Sequence, residues 1–237
     1  MSQPGPYGAI SFDCYGTLID WQRGLSEAVQ RETGLGAGAI LEQFLAARER
    51  EEWRLLTELD DFRPYRELLA ASLQAAAPSA GVSLDDRAAA RVAASIGEWP
   101  AFEDATAALS RLAARFPLAL VSNVDRVDLA RTIERLGVKI THAVAADDVT
   151  SYKPEPDHLL ALLHEMVLDE HELLHVSSYA HYDLMTAQDL GIPAAYVNRY
   201  DEPLGEDVEV AIVVGDLTAL ADQLLARPRR RPPHRYR

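Results

Sequence analysis

The chain's 237 residues suffice for one large domain, or for a core domain carrying an insert. A content of 48 % hydrophobic and 25 % charged residues is that of a folded globular protein, and a single cysteine excludes both an intramolecular disulfide framework and a cysteine-rich zinc site. A net charge of −14 argues against a nucleic-acid scaffold.

The N-terminal MSQPGPYGAI lacks the basic-then-apolar pattern of a signal peptide, and no stretch reaches the ~20 apolar residues of a membrane span. A soluble cytoplasmic protein with no membrane or nucleic-acid partner is therefore expected. Residues 8–12 (GAISF) read as a short buried strand running into the turn-like DCYGT. From Trp21 to about Ala101 the chain turns to Ala, Leu, Glu and Arg at helical spacing, as in ILEQFLAAREREEWRLL, with GLGAG, DDFRP and APSAGVS as punctuation.

From Asp104 the rhythm alternates. The helix DATAALSRLAARF precedes the strand PLALVSN, and DLARTIERLG precedes HAVAAD. HLLALLHEM is followed by LLHVSS, MTAQDLG by PAAYVN, and a last strand VAIVVG by the helix LTALADQLLA. Such alternation builds a doubly wound parallel sheet. The expected fold is α/β, with a Rossmann-like core over 1–20 and 103–226 and an inserted all-helical cap domain over 21–102. The tail, 227–237, holds six arginines and no acid and is expected to be a disordered, solvated basic end. The body before it carries −20, which repels an anionic ligand at long range.

Ligands of such sheets bind outside the carboxyl ends of the strands. The polar residues there are Asp13, Ser122 with Asn123, Asp147 with Asp148, and Ser177 with Ser178; Asp183 follows shortly after. Lys153 lies in the loop after the third strand. It is one of only two lysines among 23 cations, which marks a position where a compact ammonium serves and a guanidinium does not. Chain-distant groups thus converge on one rim. Asp147 and Asp148 read as loop and cap acids. Cys14 reads as a small buried hydrophobe rather than a reactive thiol. The histidines 158, 164, 171, 175 and 181 are scattered over helix and strand contexts and suggest no transition-metal site; His181 lies near the rim.

These residues carry a resemblance. FDCYGTLID with Asp13 and Thr17, VSN with Ser122, SYKPEP with Lys153, and VSSYAHYD ending at Asp183 resemble the four motifs of the haloacid dehalogenase superfamily, in the right order on the right strand ends. The resemblance, helical insert included, covers nearly the whole chain. It implies a catalytic set of Asp13, Thr17, Ser122, Lys153 and Asp183. Asp13 would be a carboxylate nucleophile forming a covalent intermediate that water opens. Thr17 and Ser122 would hydrogen-bond the nucleophile or the substrate's anionic group, and Lys153 would place a positive charge beside Asp13. Asp183 would orient the hydrolytic water or help hold a metal. Tyr15, Asn123, Ser177, Tyr179 and His181 are the expected substrate contacts. A homodimer is a further implication.

The residue two after the nucleophile selects the chemistry. Phosphatases of the superfamily carry a second aspartate there to protonate the leaving alkoxide; this chain has Tyr15, a phenol poorly suited to that shuttle. A halide leaves without a proton. DCYGTLID resembles the 2-haloacid dehalogenases, which implies halide displacement from a small 2-haloalkanoic acid, an aspartyl ester, and a 2-hydroxy acid of inverted configuration, with no cofactor. Those dehalogenases have asparagine in the fourth motif where this chain has Tyr179, and the spacing to Asp183 here is one residue longer. They also receive halide on an arginine of the insert. Arg48, Arg50 and Arg54 are the candidates, although alternation with Glu49, Glu51 and Glu52 reads first as a solvated, salt-bridged face. Trp21, Trp53 and Tyr65 are candidates for an apolar pocket wall. Two alternatives stand beside this reading: a Mg²⁺-dependent phosphatase, its metal held by Asp13, the Tyr15 carbonyl and Asp183, and a non-catalytic binding protein of the same fold.

Overall fold

The computed structural model describes residues 7–59 and 61–226, so the basic tail expected at 227–237 lies outside the described residues. The centre is a six-stranded sheet in the order β3-β2-β1-β4-β5-β6, with every neighbouring pair parallel. The strands are β1 (Ala9–Asp13), β2 (Leu118–Ser122), β3 (His142–Ala145), β4 (Leu173–Ser177), β5 (Ala194–Val197) and β6 (Ile212–Val214), each inside or beside a predicted run. β1, β2, β4 and β5 are buried at every position, as strands covered on both faces must be.

Between β1 and β2 run α1 (Trp21–Thr33), α2 (Ala39–Thr57), α3 (Tyr65–Ala76), α4 (Asp86–Ala94) and α5 (Ala105–Ala113). After β2 comes α6 (Arg126–Leu136), after β3 α7 (Ala146–Val149) and α8 (Asp157–Met166), after β4 α9 (Met185–Asp189), and after β6 α10 (Leu217–Leu225). Strand alternation sorts the core into two layers. Ile10, Phe12, Leu118, Leu120, Leu174 and Val176 pack on one face with leucines of α5 and α10. Ala9, Ala119, Val121 and Leu173 pack on the other with Leu159 and Leu162 of α8. Each fully buried leucine is worth about 1.5–3 kcal/mol over an exposed one, which holds the strand ends rigid beneath the rim. No helix among the described residues is long and apolar enough to cross a membrane.

The strand predicted over HAVAAD stops at Ala145. The acids that follow prefer capping to pairing: Asp148 accepts from the Ala145 N–H at 2.8 Å and pairs with Arg126, which opens the short helix α7. Asp147 accepts from the Arg126 N–H at 2.8 Å. Both acids thus act as the caps expected.

The helices α1–α4 leave the sheet and return to it at one place. The Asp20 N–H donates to Pro100 O at 2.8 Å and the Phe102 N–H to Leu18 O at 2.9 Å, beside an antiparallel bridge from Ile19 to Ala101. A second link lies at the start of α3. Its first N–H groups, from Tyr65 and Arg66, donate to the Asp125 carboxylate at 2.8 and 3.0 Å, so a residue beyond β2 caps a helix of the insert. The Arg66 guanidinium then forks onto the buried Asp128 carboxylate, with both contacts at 2.6 Å. These links hold α1–α4 against the carboxyl ends of β1 and β2.

Candidate active site

Asp13 is the last residue of β1, the strand at which the sheet order reverses, so its carboxylate emerges at the crevice of the fold. The turn after it folds Thr17 back, and the Thr17 hydroxyl donates to Asp13 Oδ2 at 2.8 Å. Thr17 Oγ1 in turn accepts from the Ser178 N–H at 2.9 Å, which ties the ends of β1 and β4 together. The turn is pinned from the segment after β5 as well: Arg199 Nε donates to Thr17 O at 3.0 Å and the Tyr200 hydroxyl to Gly16 O at 3.3 Å.

Lys153 reaches Asp13 from the loop after α7. Its ammonium lies 2.8 Å from Asp13 Oδ1, 2.7 Å from Asp183 Oδ1 and 3.0 Å from Val121 O, and all three groups are buried. The loop is held by Asn123, whose Oδ1 accepts from the Lys153 N–H at 2.7 Å. Ser122 lines the cavity at the end of β2, and its carbonyl accepts from His158 Nε2 at 3.1 Å. Behind Lys153, Asp183 accepts from His175 Nε2 at 3.2 Å and from the Ser177 hydroxyl at 2.9 Å. His175 Nδ1 meets Ser11 Oγ at 2.9 Å. Asp183 is thus saturated largely by protein groups that aim it at Lys153.

The electrostatics follow from this arrangement. Burial pushes the Asp13 carboxyl above the usual carboxylate range, against the pull of Lys153. Burial would raise Asp183 too, but Lys153 and His175 outweigh it and hold that carboxyl well below its ordinary value. Burial would lower the Lys153 ammonium, yet Asp13 and Asp183 keep it above its ordinary value and therefore charged. Cys14 is buried, and desolvation drives its thiol far up, so it behaves as the small hydrophobe expected.

Tyr15 lines the cavity with its ring, but its hydroxyl turns away and meets Thr132 Oγ1 at 2.6 Å. Tyr179 replaces the expected asparagine and packs on Gly16. A Cβ at Gly16 would lie 2.1 Å from the Tyr179 hydroxyl oxygen, and Gly16 has φ 101°, so the approach needs glycine. Trp21 Nε1 donates to the same oxygen at 2.7 Å.

The extra residue before Asp183 is absorbed by a π-helical turn over Ala180–Leu184, in which the Leu184 N–H donates to Tyr179 O at 3.3 Å. A π turn holds one residue more than an α turn, so Asp183 still arrives at Lys153. The same turn sends the neighbours elsewhere. Tyr182 lines the cavity, whereas His181 is exposed, sits 3.2 Å from Met185 Sδ, and is not brought to the site. Ser177 lies beneath the rim as a partner of Asp183 rather than as a cavity wall.

Asp13, Lys153 and Asp183 close the floor of a cavity of about 150 Å³. Its roof comes from α1, α2 and α3: Trp21, Leu25, Arg48, Glu49, Glu52 and Tyr65. Arg48 is 2 % exposed, its guanidinium 5.3 Å from the Trp21 ring centre. It does not lie on the solvated face that the Arg/Glu alternation suggests, because that stripe of α2 turns inward over the rim. Arg50 and Arg54 do face solvent, Arg54 between Glu51 and Glu58. Trp53 is 51 % exposed, stacks edge-on with Tyr182, and does not line the cavity. Arg199 and Tyr200 escaped the sequence reading, which took His175 only as one of the scattered histidines. A lone histidine in the apolar run LLHVSS, and the polar end of PAAYVNRY under the same strand-end rule, were the available signals.

The family model of the haloacid dehalogenase-like hydrolases matches residues 7–191. An (S)-2-haloacid dehalogenase 4A of Burkholderia cepacia is 28 % identical over 203 residues, covering 82 % of this chain and 84 % of that protein. The L-2-haloacid dehalogenase structure from Xanthobacter autotrophicus superposes with a TM-score of 0.80 at 20 % identity, over 94 % of this chain and 100 % of its own. YfnB of Bacillus subtilis, solved bound to magnesium, gives 0.78 at 16 % identity, over 92 % and 99 %. At these identities the structural matches speak for the fold alone.

Proposed function

The chain belongs to the haloacid dehalogenase-like hydrolases, and within that family we propose that it displaces halide from a small 2-haloalkanoic acid. The observation that carries this reading is the Tyr15 hydroxyl. Tyr15 stands at the sequence position where a phosphatase of the family carries its proton donor, but its hydroxyl is spent on Thr132, and burial drives its pKa far up. A leaving group that needs no proton suits such a site.

In this account 21–102 acts as a cap that closes on a core of 1–20 and 103–226 and excludes water from the first step. Asp13 attacks the carbon bearing halogen in line. A carbon–oxygen bond forms, the carbon–halogen bond breaks, and the halide departs with the bonding pair. A water then adds to the Asp13 carboxyl carbon; the bond from that carbon to the ester oxygen breaks, releasing the 2-hydroxy acid and one proton. The raised carboxyl of a desolvated Asp13 is the more basic and thus the better nucleophile, and Thr17 and Lys153 hold it in one orientation. Arg48 is the roof group placed to receive halide or the substrate carboxylate. Asp183 fixes Lys153, and its carboxylate, which lines the cavity, would orient the hydrolytic water. Ser122 and Asn123 border the substrate, Asn123 also fixing the lysine loop; Tyr15, Tyr179 and Tyr182 supply aromatic walls.

A divalent cation on Asp13, the Tyr15 carbonyl and Asp183 fits this donor set poorly. The ammonium of Lys153 already bridges the two carboxylates, and Asp183 also serves His175 and Ser177. Halide release from 2-chloropropionate and 2-bromoacetate, with EDTA or Mg²⁺ and beside a phosphate-ester assay, tests the proposal. EDTA-insensitive halide release that disappears in Asp13→Asn supports it; Mg²⁺-dependent phosphate release without halide would overturn it.

A further inference from the structure

Lys153 and its neighbour Tyr152 serve different parts of the molecule. The Lys153 ammonium turns into the crevice to Asp13, whereas the Tyr152 hydroxyl donates to Arg63 O of the insert at 2.6 Å. The Tyr152 ring stacks on Phe62, with centroids 5.4 Å apart and planes 22° from parallel, and lies 6.4 Å from the ring of Tyr65. Phe62 and Arg63 stand just ahead of α3, the helix whose start is capped by Asp125 and whose Arg66 grips Asp128. This corner of the insert thus meets the core at Asp125, at Asp128 and at the lysine loop itself. The rest of that loop is tied to the core. The Ser151 N–H donates to Ala146 O at 3.2 Å, the Lys153 N–H to Asn123 Oδ1 at 2.7 Å, and the Thr186 hydroxyl to Pro154 O at 2.8 Å.

We propose that Tyr152 is a positioning residue, which ties the setting of Lys153 on Asp13 to the docking of the insert on the core. This rests on the reading that Lys153 serves Asp13 in the reaction. Two stacked rings and one hydrogen bond fix the Tyr152 side chain from above, and its backbone is continuous with that of Lys153. A loop released at Tyr152 would slip, and a misplacement of about 1 Å at a reacting centre can cost about 100-fold in rate. The coupling is reciprocal: a lysine set on Asp13 presents Tyr152 to the corner before α3. The nucleophile is thereby oriented when the roof is in place and water is excluded.

Kinetics and lysine chemistry on the full chain test this. The chain has two lysines, and Lys139 is exposed. Reductive methylation with formaldehyde and cyanoborohydride, read by mass spectrometry, therefore reports Lys153 against a reference in the same molecule. Tyr152→Ala should lower kcat on 2-chloropropionate about 10–100-fold and move KM less than about threefold. It should also speed methylation of Lys153 relative to Lys139 by about fivefold or more, as the ammonium leaves its buried partners. Phe62→Ala removes the stack from the insert's side and should move both quantities the same way by a smaller factor. Added to Tyr152→Ala, it should change neither further. Tyr152→Phe keeps the stack and should retain most of kcat. Should Tyr152→Ala fail to fold, Phe62→Ala tests the contact from the other side. A raised KM at unchanged kcat would overturn the proposal, by reducing Tyr152 to a docking contact. Lys153 methylation unchanged in both alanine variants, or losses that add in the double variant, would also overturn it. Failure of the dehalogenase reading has a different signature: no halide released by the wild type, while Lys153 methylation still rises in the two variants.

Discussion

Ser11 and His175 stand opposite one another in the register of β1 and β4, and their side chains meet at 2.9 Å in the interior of the sheet. From this pair a continuous line of contacts runs through Asp183 and Lys153 to Asp13. Asp183 can only accept, so His175 Nε2 bears the proton toward it and Nδ1 is left for Ser11. The strand register thus orients the ring, and the ring orients the acid that fixes the lysine.

Removing the ring should therefore be felt at the nucleophile. In His175→Leu a buried Asp183 oxygen loses a donor, at a cost of about 1–3 kcal/mol, and kcat/KM should fall about 10–100-fold. His175 is also one of the groups that hold the Asp183 carboxyl low, so that carboxyl should titrate higher in the variant. Ser11→Ala should give a smaller loss of the same kind. A drop in thermal stability with kcat/KM unmoved would reduce His175 to packing.

A second histidine gives stability its own pH dependence. Burial, aided by Lys153, pushes His158 down to about 4 from 6.5. A folded-state pKa below the unfolded one means that the unfolded chain binds the proton first, so stability falls as pH drops through that window. From pH 7 to 5 the loss from this group should be about 2 kcal/mol. Denaturant unfolding of the wild type and of His158→Gln at both pH values checks it, and parallel losses in the two proteins would refute the assignment.

Gly16 and Tyr179 should behave as a coupled pair. Gly16→Ala meets both a φ of 101° and the Tyr179 ring, and should cost about 2–4 kcal/mol with loss of activity. Tyr179→Ala in the same chain should recover the steric part only, leaving the backbone strain. Additive effects in a thermal-unfolding double-mutant cycle would show that the two do not touch.

The parallel strands were legible because buried strands are continuous apolar runs, and Asp13, Thr17, Lys153 and Asp183 because they end or follow such runs in a motif order. The roof was not. Arg48 and Arg54 each have an acid four residues on, Glu52 and Glu58, whether their face meets water or a cavity, and only the packing of α2 on the rim singles out Arg48. Sequence position puts His181 near the rim, but a π turn changes the phase at which side chains leave the backbone. Tyr182 takes its place. His175 was hidden by its own burial, a polar residue whose partner lies 164 positions away in sequence.

The central claim is that Asp13 becomes covalently esterified and that water attacks its own carboxyl carbon. A single turnover of 2-chloropropionate by excess enzyme in ¹⁸O-labelled water tests this most directly, read by mass spectrometry of the peptide containing Asp13 and of the hydroxy acid. The account predicts label in Asp13 and an unlabelled product. Label in the product, with none in Asp13, would mean that water attacks the substrate itself and that Asp13 is not the nucleophile.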